Sequence, residues 1–162
     1  MNKFKIYLDT SIINFFFADD APEKKEITID YFDKYVATNF YTHGVSGFVI
    51  EEIKNTKNIE LRENLLRKIE EYDLEIWPNE PNNEIVSLDL EYLKGKIIPE
   101  KSMYDALHIA FCTVNKIDYL LSWNYRHLSN INKERAFSSK NLDLGYLTTP
   151  RLINPLEAFN DY

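Results

Sequence analysis

Residues 3–11 read KFKIYLDTS, a partly alternating apolar pattern that runs directly into three polar residues. Alternation of this kind marks a strand, and the polar triplet Asp9-Thr10-Ser11 marks its end in a turn. Working outward, short strand patterns recur at Tyr41–His43, with Gly44 as punctuation, at Leu74–Trp77, stopped by Pro78, and at Tyr119–Ser122. Helical spacing fills the intervals. Pro22 to Thr38 carries Ile27, Tyr31 and Tyr35 four apart, Ser46 caps a helix through Phe48, Val49, Glu52 and Ile53, and Ile59 to Glu71 uses Leu61, Leu65, Leu66 and Ile69. Further helices are predicted over Asn82–Lys94 before Gly95, from Ser102 to Asn115, and from Ile131 to Lys140. A loop then runs through Gly145 and Pro150, and a last helical turn starts at Asn154-Pro155. Strands alternating with helices predict an α/β fold whose short central parallel sheet is covered on both faces. In such sheets sites form beyond the carboxyl ends of the strands, near the point where strand order reverses.

The chain has 162 residues, a length that suits a single domain over 1–162. Ten Phe, eleven Tyr and two Trp provide ample apolar area for a core without disulfides or a structural metal. Cys112 is the sole cysteine, so neither an intrachain disulfide nor a thiolate zinc site is available. Its neighbours Ala110, Phe111 and Val114 predict a buried small hydrophobe. No apolar run approaches a membrane span, and the N-terminus lacks the pattern of a signal peptide, so the expected location is cytoplasmic. The net charge of −7 argues against a broad basic surface for nucleic acid and fits acidic residues that converge on cations, or simply a soluble surface.

Four residues occupy the positions this architecture reserves for chemistry. Asp9 follows the first strand and Asn124 follows the strand at Tyr119–Ser122. Glu52 lies in the second turn of the helix opened by Ser46, and Asp105 lies in the first turn of the helix opened by Ser102. Carboxylates gathered in one cleft repel and are costly to desolvate. A hard divalent cation removes that repulsion, accepts oxygen ligands, lowers the pKa of a bound water and stabilises charge on an attacked phosphate. Each residue also has a local explanation. Asp9 can begin a turn, Asp105 completes a Ser102-x-x-Asp105 capping box, and Glu52 can be a solvated neighbour of Glu51.

Four segments in this order resemble the PIN-domain family, including the VapC-type toxin ribonucleases of toxin–antitoxin operons: IYLDTS at 6–11, SGFVIEEI at 46–53, YDALHIA at 104–110 and DYLLSWNYRHL at 118–128. The resemblance covers most of the chain and implies a PIN-like three-layer α/β/α domain. It implies that Asp9, Glu52 and Asp105 ligate Mg²⁺ or Mn²⁺. Glu52 rather than Glu51 is taken because the family's glutamate sits six after the serine and just before an aliphatic residue. The family's fourth position, often Asp and sometimes Asn, is Asn124, and a further acid often seen three residues later is replaced by His127. An amide and an imidazole bring no negative charge, which favours one tightly held ion, with any second arriving with substrate. Thr10 and Ser122 resemble hydroxyl positions that orient ligands or water, and equally fit strand-end hydroxyls serving the backbone. The activity implied is hydrolysis of internal RNA phosphodiesters, leaving 5′-phosphate and 3′-hydroxyl ends, with an antitoxin protein and a second copy of the chain as partners.

His108, three residues after Asp105, lies on a neighbouring part of the same helix face, from which it could approach the cleft, and reads first as a packed histidine. Trp123, Tyr125 and Arg126 offer stacking and pairing to RNA, with burial of Trp123 against the sheet as the simpler reading. Two other readings compete. A phosphoaspartate enzyme built on Asp9 lacks the second Asp expected two residues on, where Ser11 stands. A non-catalytic PIN-like binding module is compatible with Asn124 and His127.

Overall fold

The structure, a computed structural model, describes residues 3–158. Strands β1 (Lys5–Leu8), β2 (Thr42–Ser46), β3 (Glu75–Trp77), β4 (Tyr119–Leu121) and β5 (Arg151–Ile153) form one sheet in the order β3-β2-β1-β4-β5. Neighbouring strands are all parallel, with Ile6 opposite both His43 and Tyr119, and Leu8 opposite Leu121. The helices are α1 (Thr10–Asn14), α2 (Pro22–Tyr31), α3 (Gly47–Lys54), α4 (Ile59–Glu71), α5 (Asn82–Lys94), α6 (Met103–Val114), α7 (Ile131–Asp143) and α8 (Pro155–Ala158).

Ile6, Tyr7 and Leu8 are all buried although successive strand residues point to opposite faces, so both faces of β1 are covered. On one face Tyr7 packs against Phe111 of α6, ring centroids 5.5 Å apart, and on the other His43 of β2 packs against Tyr31 of α2 at 5.6 Å. These contacts define three layers, helix on sheet on helix. Fully buried Tyr7, Tyr31, Tyr35, Tyr92, Phe32, Phe111 and Phe137 make the core strongly aromatic. Each such side chain contributes roughly 1.5–3 kcal/mol relative to exposure.

Four local predictions change. The residues after Asp9 form helix α1 rather than an open turn, and Asp9 caps it by accepting from the amide of Ile12 at 3.2 Å. Strand β2 does not stop before Gly44 but continues through it to Ser46. The Trp77 ring of β3 lies flat over that residue, and a Cβ there would stand 2.6 Å from its Cζ2, so the glycine accommodates a neighbour instead of breaking the strand. The helix expected to run to Thr38 is α-helical only to Tyr31. A wider π turn over Phe32–Val36 inserts a residue and keeps Phe32, Tyr35 and Val36 all buried. The segment after Pro150 is a fifth strand, β5, where a loop was expected. Asn154 caps α8 as predicted, accepting from Leu156 and Glu157.

Candidate active site

Strand order reverses beside β1: β2 lies on one side and β4 on the other. The chain leaving β1 and the chain leaving β4 therefore emerge side by side at the carboxyl edge, the place where open α/β sheets form sites. The Asp9 amide donates to the Leu121 carbonyl at 3.2 Å, which sets Asp9 next to Ser122. Ser122 Oγ donates to Asp9 Oδ2 at 2.5 Å, while Ser11 Oγ and the Ile12 amide donate to Oδ1 at 2.6 and 3.2 Å. Burial raises the Asp9 carboxyl above its ordinary range even though His108 and these three donors pull it down.

Helix α3 brings Glu52 in from the other side. Ser46 caps that helix by accepting from the Phe48 amide at 3.1 Å. Glu52 Oε1 accepts from Thr10 Oγ1 at 2.5 Å and from His108 Nε2 at 3.1 Å. Burial works to raise the Glu52 carboxyl, but the hydrogen bond and charge of His108 and the bond from Thr10 outweigh it, and the group stays below its ordinary value.

Asp105 does not complete a capping box. The Ser102 side chain makes no cap bond, and Asp105 Oδ2 accepts from Asn124 Nδ2 at 3.1 Å. Asn124 thereby links α6 to the turn after β4. Its Oδ1 is occupied by the amides of Arg126 and His127 at 3.2 and 3.0 Å, which fixes the amide group's orientation. In this arrangement Asn124 is a donor to an acid rather than an oxygen ligand. Burial raises Asp105 to about 6, opposed by His108 and reinforced by the charges of Asp9 and Glu52.

The residue missing from the sequence-derived set is the one at the centre. His108 is 1% exposed and lies near all three acids. Burial alone would lower its pKa, yet the bond to Glu52 and the charges of Glu52, Asp9 and Asp105 raise it. Its position three residues after Asp105 carried the signal; the residue is packed, as the first reading held, and it also reaches the cleft, as the second allowed.

The three acids are thus close enough to act on one another electrostatically. Among the described residues, however, no three His, Cys, Asp or Glu side chains are arranged to enclose a metal ion. In kind, the donor set fits a hard cation: oxygen donors only, with no described residue hydrogen-bonded to Glu52 Oε2 or Asp105 Oδ1.

The residues that follow Ser122 in the chain are aromatic and cationic. Trp123 is buried, as the simpler reading held, and its Nε1 donates to Thr28 Oγ1 at 2.8 Å. Lys24 Nζ lies 5.0 Å from the Tyr125 ring centroid and 5.5 Å from that of Trp123. His127 Nδ1 is buried without a hydrogen-bond partner, and burial together with Arg126, Lys133 and Lys101 lowers its pKa. Cys112 is fully buried, and burial and the Asp9 charge push its thiol up, the opposite of an activated nucleophile. Among the described residues no helix is long and apolar enough to cross a membrane.

Neither a family model nor a curated protein matches the chain. Solved structures do. One is VapBC2 from Rickettsia felis bound to a DNA fragment from the promoter, with 18% identity, TM-score 0.53, and coverage of 93% of this chain and 96% of that one. Another is FitAB bound to an IR36 DNA fragment, with 13% identity, TM-score 0.58, and coverage of 97% and 99%. At this identity the likeness speaks to architecture. With five parallel strands between two helical layers and acids beyond the switch point, the chain has the PIN-like α/β/α fold that the four sequence segments implied.

Proposed function

We propose that the protein is a Mg²⁺- or Mn²⁺-dependent endoribonuclease of the toxin–antitoxin type, with Asp9, Glu52 and Asp105 holding the cation. The supporting observation is the gathering of three acids from three elements at the sheet's switch point, where burial makes their mutual repulsion expensive. A divalent cation bound there would supply Lewis-acid stabilisation of the attacked phosphate and a more acidic water. The chain's own groups do the rest. Ser11 and Ser122 fix Asp9, Thr10 fixes Glu52, and Asn124 fixes Asp105. Arg126, whose backbone amide is held by Asn124 Oδ1, is an exposed cation suited to a flanking phosphate, the His127 amide is held by the same oxygen, and exposed Tyr125 beside Lys24 offers a base-stacking surface. Products with 5′-phosphate and 3′-hydroxyl ends follow from the family resemblance.

An antitoxin partner and a homodimer belong to the same proposal. They rest on the resemblance and on the likeness to two toxin–antitoxin assemblies. A second reading, a PIN-like binding module, draws on the orientation of Asn124 and on the lack of a metal-enclosing group among the described residues. Cleavage of a structured RNA in Mg²⁺ by wild type and Asp9→Asn separates the two. The nuclease reading expects cleavage lost in the variant with the fold retained. Equal cleavage by both proteins, or none by wild type, rejects it.

A further inference from the structure

We propose that His108, braced by Tyr7, is a positioning residue that fixes Glu52 for cation binding. This rests on the metal-dependent reading above and assigns a role to two residues outside the expected ligand set.

The Glu52 side chain is 32% exposed and, left alone, would distribute over several rotamers. Two donors prevent that, Thr10 at 2.5 Å and His108 Nε2 at 3.1 Å, both on Oε1. The imidazole is itself immobile. Its Nδ1 lies 2.5 Å from the Tyr7 hydroxyl, the two rings are 5.4 Å apart, and both residues are at most 1% exposed. The Tyr7 hydroxyl also meets Ser46 Oγ at 2.7 Å, and Ser46 caps the helix that carries Glu52.

The bonds therefore close a circuit. It runs from Ser46 at the start of α3 to Tyr7 on β1, to His108 on α6, and back to α3 at Glu52. Each of the three acids sits on or directly after one of these elements. The circuit ties the three elements together and holds Oε1 of Glu52, leaving Oε2 without a hydrogen-bond partner among the described residues. A proton resides on Nε2 whether the ring is neutral or charged, because Nε2 faces a carboxylate and Nδ1 can accept from Tyr7 or donate to it. The arrangement matches the general pattern in which partners behind a metal ligand orient it.

The test is Mn²⁺ affinity, read by electron paramagnetic resonance on the full chain, with the melting temperature of every variant recorded alongside. His108→Leu is expected to weaken Mn²⁺ binding about 10- to 100-fold. His108→Gln, which returns a donor near the Nε2 position, restores most of it, and Tyr7→Phe falls between them. Asp9→Asn serves as the control that loses the ion. A merely structural histidine would change melting temperature without this order of affinities. If His108→Leu and Tyr7→Phe bind Mn²⁺ like wild type while Asp9→Asn does not, the positioning role is wrong and the metal reading survives. If wild type itself binds no Mn²⁺, both fall. Should His108→Leu fail to fold, Tyr7→Phe decides, with wild-type affinity overturning the proposal.

Discussion

His43 and His108 are both buried, lie on opposite faces of one sheet, and titrate in opposite directions. His43 has a tyrosine partner, the Tyr31 hydroxyl at 2.8 Å from Nε2, and burial lowers it to about 4. His108 is buried even more completely, yet the three acids around it overcome that burial and raise it. Burial by itself therefore makes a histidine neutral. At His108 the hydrogen bond and charge of Glu52, joined by the charges of Asp9 and Asp105, reverse the sign. The His43 side is ordinary core chemistry, whereas the His108 side is a place where charge has been collected.

The sharpest way to break this contrast is to remove a collected charge. Asp9→Asn is expected to lower RNA cleavage by more than about 100-fold, beyond the cost of losing a group that only supports a ligand, with little change in melting temperature. A loss of similar size from an acid outside the cluster, such as Glu51→Gln, would show that the cluster is not special.

The His43 side gives the next effect, on stability rather than activity. The unfolded chain takes up a proton at this residue near 6.5, the folded chain only near 4. The contribution is therefore fully present above 6.5 and is lost as pH falls through that interval. Between pH 7 and pH 5 wild type should lose about 2 kcal/mol by this route. Urea unfolding of His43→Gln at both pH values should show a correspondingly flatter profile, and an unchanged slope would remove the burial argument.

Asp89 on α5 sharpens the comparison among the acids. It is buried, one carboxylate oxygen has no partner, and burial raises it from 3.8 to about 6. Because the folded value exceeds the unfolded one, its contribution is fully present below about 4 and is lost as pH rises through 6. Asp89→Asn should therefore stabilise the protein by about 3 kcal/mol at pH 8 and by about 0.5 kcal/mol at pH 4. Stabilisation of the same size at both pH values would mean that the carboxylate is paired. The smallest expected effect is at Tyr125. Tyr125→Ala should raise the KM for RNA about fivefold, near the lower end of a lost base stack, and leave kcat nearly unchanged.

The sequence announces one side of this contrast better than the other. The strand end before Asp9 and the starts of the helices carrying Glu52 and Asp105 were legible in the pattern, whereas the choice of Glu52 over Glu51 came from the family resemblance. Helix α1 was hidden by its own composition, since Ile12 and Ile13 are β-branched and favour strands in isolation. Only the packing of both, fully buried, makes the helix worthwhile. Strand β5 spans three residues, too short to alternate visibly. His108 read as a packed histidine and Tyr7 only as part of the first strand, and both are buried. Their hydrogen bonds join β1 to α6 and α6 to α3, over sequence separations of 101 and 56 residues that no local pattern carries.

Everything proposed for the site requires that Asp9, Glu52 and Asp105 share one cation. Crystals grown with Mn²⁺ and measured at the manganese absorption edge test it directly. One strong anomalous peak is expected within ligand distance of carboxylate oxygens from Asp9, Glu52 and Asp105. A peak elsewhere, or none at millimolar Mn²⁺ with all three side chains ordered, would contradict it.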